Sequence, residues 1–153
     1  MTVPYASARS GDTARGEILK MLRRFGCTSV GFMDDFEKHE LILAFTYRDV
    51  PVQLRANAAG WAKMFLDDQP WTPRRQSGKA DYEAQALQQG MVAVNSILRD
   101  WIKGQTTAIE CGILSFGQVF MPYMLTNSGQ TVAEYVEGKS IVPLLSGPNR
   151  ESK

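Results

Sequence analysis

The sequence predicts an α+β fold: a three-stranded antiparallel meander flanked by helices, followed by a long helix and a C-terminal strand or hairpin. Three observations carry this. Apolar residues recur at helical spacing from Ala14 to Phe25, alternate with a period of two from Val30 to Ala56, and return to steps of four and three from Leu87 to Trp101. At 153 residues the chain fits one domain with an ordinary core, assigned here to residues 1–138, with 139–153 as a flexible tail.

The first helix is punctuated by Asp12 as N-cap and by Gly26 at its end, and buries Ala14, Ile18, Met21, Leu22 and Phe25. Val30 and Phe32 begin a short strand that leads into the acidic stretch Asp34 to Glu40. Leu41, Leu43, Phe45 and Tyr47 form one face of a second strand, and Ile42, Ala44 and Thr46 the other, which marks it as the central strand. Arg48 and Asp49 are turn residues. Val50, Val52, Leu54 and Ala56 make a third strand, with Pro51 at its start or on an edge. Asn57 caps a second helix that buries Ala58, Trp61, Ala62 and Phe65 and ends at Asp67, Asp68 and Pro70.

From Asp67 to Lys79 the prolines, Gly and Ser mark a long loop. The long helix starts near Asp81 and carries Leu87, Met91, Val94, Leu98 and Trp101, with Gly104 as the place where it kinks or breaks. The near-heptad spacing of that stripe suits pairing with a twin in a homodimer. Val119 to Leu125 reads as a strand and Thr126 to Gly129 as a turn. Thr131 and Glu134 form a weak capping box, which leaves 131–137 open between a short helix and the return strand of a hairpin.

Composition sets the functional limits. With 44% hydrophobic residues the chain can bury a core, and order is expected everywhere except at the ends. A net charge of +1, from 17 basic and 16 acidic residues, gives no global attraction to nucleic acid or to a membrane. Cys27 and Cys111 stand alone, outside any zinc or redox spacing, and Met1 to Asp12 lacks the apolar stretch of a signal peptide. The expectation is a cytoplasmic protein without a membrane segment, disulfide, metal or cofactor.

Charge is nevertheless uneven. Residues 1–24 hold five basic residues (Arg9, Arg15, Lys20, Arg23, Arg24) against two acidic ones, and 51–79 hold five (Arg55, Lys63, Arg74, Arg75, Lys79) against two. If these blocks share a face with Trp71, phosphate contacts and base stacking become available; if Arg23 and Arg74 lie on opposite sides, that reading loses its main support. The candidate binding residues are therefore Arg23, Arg24, Arg55, Lys63, Trp71, Arg74, Arg75 and Lys79. The Trp71 to Arg75 loop would equally serve an acidic protein partner, or Trp71 would simply pin the loop to the core. The acidic stretch around His39 lacks the spacing of a calcium loop, and nothing places a nucleophile beside that single histidine. Arg99 and Lys103, four apart on the long helix, call for an acidic neighbour.

The helix, meander, helix order resembles the core of the PD-(D/E)xK nucleases. That resemblance implies an acid near the start of the second strand, which Glu40 matches, and an acid and a lysine two apart on the third, where this chain has Gln53 and Arg55. The metal-binding carboxylate is missing, which argues against hydrolysis. A second resemblance rests on Val94 to Phe116 (VNSILRDWIKGQTTAIECGILSF), Phe25-Gly26-Cys27 and Gly31-Phe32-Met33-Asp34. These segments are similar to uncharacterised small proteins of proteobacterial tailed phages and prophages. The resemblance implies a setting in the cytoplasm of an infected host, in which DNA replication and recombination are common tasks. The resulting expectation is a non-catalytic accessory protein acting on or beside nucleic acid. A protein-interaction module or inhibitor of a host factor is the alternative, and a metal-dependent enzyme at Glu40 and Asp35 comes third.

Overall fold

The structure, a computed structural model, describes residues 3–139 together with Leu144 and Leu145. Its first helix, α1 (Gly11–Phe25), is capped by Ser10 and not by Asp12: the Ser10 hydroxyl accepts from the backbone N–H of Thr13. Asp12 falls inside the first turn, where its carboxylate complements the helix dipole. Gly26 ends the helix at φ +113°, a conformation that would strain any residue with a Cβ.

The meander forms as predicted, with β1 (Ser29–Asp35), β2 (Glu40–Tyr47) and β3 (Val50–Asn57) antiparallel in that order. Phe32 lies opposite Leu43, and Leu43 opposite Leu54, so the period of two puts the large apolar residues on one face. The other face exposes Gly31, Met33, Ala44 and Arg55. Asn57 caps α2 (Ala58–Asp68) by accepting from the Ala59 N–H at 2.7 Å.

The spine of the molecule is α3 (Lys79–Glu110), 32 residues long and roughly 48 Å from end to end. It runs through Gly104 without a break, since nothing crowds that position and a single glycine costs only about 1 kcal/mol in a helix. The first half of α3 packs antiparallel on α2, with Gly90 against Ala58 and the Tyr82 ring 6.3 Å from Phe65. Its second half runs parallel to α1, where Arg15 meets Asn95 and Glu17 meets Arg99. Val94, Leu98 and Ile102 enter the core against the sheet. From Val94 onward, then, the stripe expected to pair with a twin helix is already consumed by the chain's own strands.

The C-terminal strand expected over Val119 to Leu125 is instead a short helix, α4 (Phe116–Phe120), and a 3-10 turn at Met121–Tyr123. Ser115 and Gln118 build a full capping box, and Phe120 is completely buried, edge-on to Phe45 and Trp101. Among the described residues, extended pairing in this region survives only in the bridges Val52–Met124 and Leu125–Thr131, so the hairpin is a single bridge wide. The choice left open at 131–137 resolves to helix: α5 (Val132–Lys139) starts from a capping box in which Thr131 and Glu134 bind each other's backbone N–H. Lys139 ends α5; apart from Leu144 and Leu145, the rest of the tail expected at 139–153 lies outside the described residues.

Two apolar clusters hang on α3. The larger joins Ile18, Leu22, Leu43, Phe45, Leu54, Ile102 and Phe120, and the smaller joins Val3, Trp61 and Ala93. The smaller one is closed by an N-terminal arm that was expected to be loose. The arm is held because the Trp61 indole N–H donates to the Pro4 carbonyl at 3.0 Å and Gln89 donates to the Ala6 and Ala8 carbonyls.

Candidate functional site

The structure places the residues singled out from the sequence at four separate locations. Arg55 lies on the open face of the sheet, paired with Glu40 at 3.5 Å. Lys63 sits on the exposed side of α2, 2.9 Å from Asp67. Trp71, Arg74, Arg75 and Lys79 cluster around the N-terminal end of α3. Here the Trp71 indole N–H donates to the Ser77 carbonyl at 2.9 Å, and the Arg75 guanidinium lies 4.4 Å from the Tyr82 ring centre while its Nε donates to the Pro70 carbonyl. Trp71 therefore pins its loop; Arg74, Arg75 and Lys79 are all exposed, and of the three Arg75 is the one held back against the loop and Tyr82.

Arg23 and Arg24 stand at the other end. Because α1 runs parallel to the second half of α3, its C-terminal turn reaches the far end of that helix, about 40 Å from Lys79. The two basic blocks do not share a face, and Trp71 is remote from the first of them.

The end of the molecule around Arg23 and Arg24 carries features that sequence reasoning assigned to core and turn. An antiparallel meander brings the β2–β3 turn back beside the start of β1, next to Gly26. Tyr47 lands 4.7 Å from the Phe25 ring and 4.6 Å from Phe116, forming a triangle of three partly exposed aromatic rings. The Arg48 guanidinium sits over Tyr47 at 5.2 Å. Arg48 and Asp49 both have positive φ, +48° and +65°, a conformation normally left to Asn and Gly in two-residue hairpin turns. Both residues therefore hold a backbone conformation that is strained for a side chain with a Cβ. Part of the signal lay in the sequence, where Arg48 and Asp49 read as turn residues; the β1–β2 connection that returns this turn beside Gly26 read only as a loop.

Adjacent to this end, a cleft of about 490 Å³ between α1 and α3 is lined by Lys20, Met21 and Lys103 together with Glu17, Arg99 and Asp100. The acidic answer to Arg99 is here: its Nε lies 3.4 Å from Glu17 and 3.0 Å from Asp100. Tyr5 donates its hydroxyl to Asp100 at 2.6 Å. That hydrogen bond and the one from Arg99 hold the Asp100 carboxyl below the usual carboxylate range, and the bond to Asp100 raises the Tyr5 phenol. Lys20 and Lys103 make no ion pair among the described residues. Lys20 and Lys103 thus share this cleft, and Arg23 and Arg24 lie in the last turn of α1, next to which Gly26 meets Tyr47 and Arg48.

The acidic stretch is dispersed. Asp34 turns inward to Arg15, whose Nε also binds the buried Asn95; Asp35 accepts from the N–H groups of Glu37 and Lys38; Glu40 faces Arg55. Among the described residues no three His, Cys, Asp or Glu side chains come together to hold a metal ion, and no described helix is long and apolar enough to cross a membrane. Compared with family models, curated proteins and solved structures, the chain matches none.

Proposed function

We propose that the chain is a phage-type accessory protein that binds single-stranded nucleic acid at the end of the molecule formed by α1 and the β2–β3 turn. The reading rests on one juxtaposition: the Arg48 guanidinium lies over Tyr47 of the Phe25–Tyr47–Phe116 triangle, at the end of α1 whose last turn carries the exposed Arg23 and Arg24, while Lys20 and Lys103 line the cleft between α1 and α3. Guanidiniums and ammoniums neutralise phosphates, and partly exposed rings accept bases by stacking, which requires no particular sequence. Arg23 and Arg24 also complement the negative end of the α1 dipole, so the test must separate binding from stability.

The test is salt-titrated binding to single-stranded oligonucleotides. Five phosphate contacts give a slope of log K against log salt of about −3.5, at about 0.7 per contact. Arg48→Ala should flatten the slope by about 0.7, and Tyr47→Leu should cost roughly five- to hundredfold in affinity. Arg74→Ala should leave binding unchanged. No binding at low salt ends the reading.

A protein-interaction module is the second reading, favoured by one observation: the Trp71 to Lys79 loop is held in a single shape by its own contacts, which lowers the cost of docking Arg74 and Lys79 on an acidic partner. Loss of a captured host protein on Arg74→Glu, with oligonucleotide binding intact, would favour it.

A further inference from the structure

The N-terminal arm and the first turn of α1 meet the middle of α3 around a second cleft, of about 460 Å³. Two guanidiniums, Arg9 and Arg99, line it together with Ser10 and Thr13, and no carboxylate does. The positive end of a 15-residue helix and two positive side chains suit an anion, but what sets this cleft apart is Ser96. Four polar residues are buried among those described. Asn95 bonds to Met91 and Arg15, Thr106 to Ile102 and Thr131 to Glu134. Ser96, at 6% exposure, makes no side-chain hydrogen bond among the described residues, not even to the carbonyl one turn earlier, where a serine inside a helix commonly turns. No unpaired side-chain oxygen among these residues is sealed from solvent, so the Ser96 hydroxyl keeps an opening, and the cleft it lines is that opening. A buried hydroxyl without a partner in the chain calls for one from outside it.

The geometry points to a site in this cleft for a phosphate group, free or carried by a small ester. Donors there outnumber acceptors. Arg9 makes no ion pair among the described residues, and Arg99 commits only its Nε, to Glu17 and Asp100. Ser10 accepts from both the N–H and the hydroxyl of Thr13, which leaves its own proton free. A carboxylate offers two oxygens and a single charge. A phosphate monoester offers three terminal oxygens and about twice the charge, which matches two guanidiniums and the hydroxyls of Ser10 and Ser96. The cleft is larger than a phosphate group, and the space beyond it would take the organic part of an ester. Arg9 belongs to the arm and Ser96 and Arg99 to α3, so a phosphate held between them would tie the arm down. This end of α1 lies roughly 15 Å from Arg23 and Arg24 along the helix, so the site stands apart from the nucleic-acid reading.

Calorimetric titration of the full chain with inorganic phosphate and with ribose 5-phosphate, at neutral pH and fixed ionic strength, tests this. Saturable binding with a dissociation constant on the order of 1 mM or tighter is expected, and none with ribose or acetate. Either phosphate probe supports the site, and tighter binding of ribose 5-phosphate assigns it to an ester. Arg9→Gln should weaken binding about tenfold or more and Ser96→Ala roughly two- to tenfold, the loss of one charge-assisted and one neutral hydrogen bond. Without phosphate, Ser96→Ala should melt no lower than the parent, because its hydroxyl has no partner to lose. Bound phosphate should also slow amide exchange in the arm, and Arg9→Gln should remove that protection. Absence of saturable binding up to about 20 mM phosphate overturns the inference. So does binding that both substitutions leave intact, which would be an adventitious ion only. Neither variant should change the salt slope for oligonucleotides, so this site and the nucleic-acid reading fail separately.

Discussion

Replacing Gly90 with alanine adds a single carbon where α2 and α3 touch, and the structure sets both the sign and the size of the effect. The new Cβ would lie 2.7 Å from the Ala58 carbonyl oxygen and 3.4 Å from the Ala58 Cβ. Relieving this needs the helices to part by about half an ångström, and the obstacle is backbone at the start of α2, which no rotamer change can move. Alanine gains about 1 kcal/mol of helix propensity over glycine, while forced overpacking costs about 1–3 kcal/mol. The expected net loss is about 1–2 kcal/mol, since parting the helices also loosens Trp61 against Ala93 and Val3. At this chain length that lowers Tm by roughly 2–6 °C. Gly104→Ala on the same helix is the control: nothing lies within 4 Å of its added Cβ, so it should raise stability by up to about 1 kcal/mol. Urea unfolding followed by circular dichroism, with equal m-values for the three proteins, reads both. If Gly90→Ala proves as stable as the parent, the α2–α3 contact is not as close as described and the reasoning fails.

Three other perturbations follow from the same structure. Arg48→Asn with Asp49→Gly gives the β2–β3 turn the residues its positive φ values favour, and should stabilise the fold by up to about 1 kcal/mol while weakening oligonucleotide binding severalfold; unchanged binding would remove Arg48 from the interface. Tyr5→Phe should abolish a pH-dependent increment. Asp100 titrates lower folded than unfolded, so its contribution is present above about pH 4 and fades as pH falls through the folded value. Tyr5 titrates higher folded, so its contribution is present below about pH 10 and fades as pH rises through the folded value. Between these limits the parent should exceed Tyr5→Phe by less than about 1 kcal/mol, because the Asp100 side chain is 47% exposed; a difference that ignores pH would contradict the bond. Burial pushes the Cys27 thiol up to about 11 while Cys111 is exposed, so alkylation at pH 8 should modify one thiol rapidly, and Cys111→Ser should remove that fast phase.

The meander and α2 were legible because their signals are local. Alternation over eight residues, an Asn before an apolar stripe and a Gly after one each specify backbone geometry without outside help. The start of α1 was misplaced because Ser10 and Asp12 are both good caps and the apolar stripe, beginning at Ala14, fits either. Val119 to Leu125 misled because a short apolar run has no period of its own; the Ser115–Gln118 capping box just before it carried the correct information and went unread. At the candidate site, residues were grouped by nearness in sequence. Whether Arg23 meets Arg74 depends on α1 and α3 running parallel, which helix packing decides and neither block encodes. Trp71 had the look of a binding residue because its true partner is a backbone carbonyl, at Ser77, that no side-chain pattern announces.

The division of the apolar interior between the two halves of α3 gives the molecule two clocks. Around Val3, Trp61 and Ala93 the interior is small and leans on an arm of a few residues held by three side-chain-to-carbonyl bonds, whereas the sheet side has a dozen mutually packed residues. Release of the arm would uncover α2 and the front of α3 while the strands stay closed. Amide protons in α2 should therefore exchange long before those of β2, although one unbroken helix joins the two regions. The end that presents Phe36 and the Trp71 loop can breathe, and the end that presents Arg23 and Arg48 holds its shape.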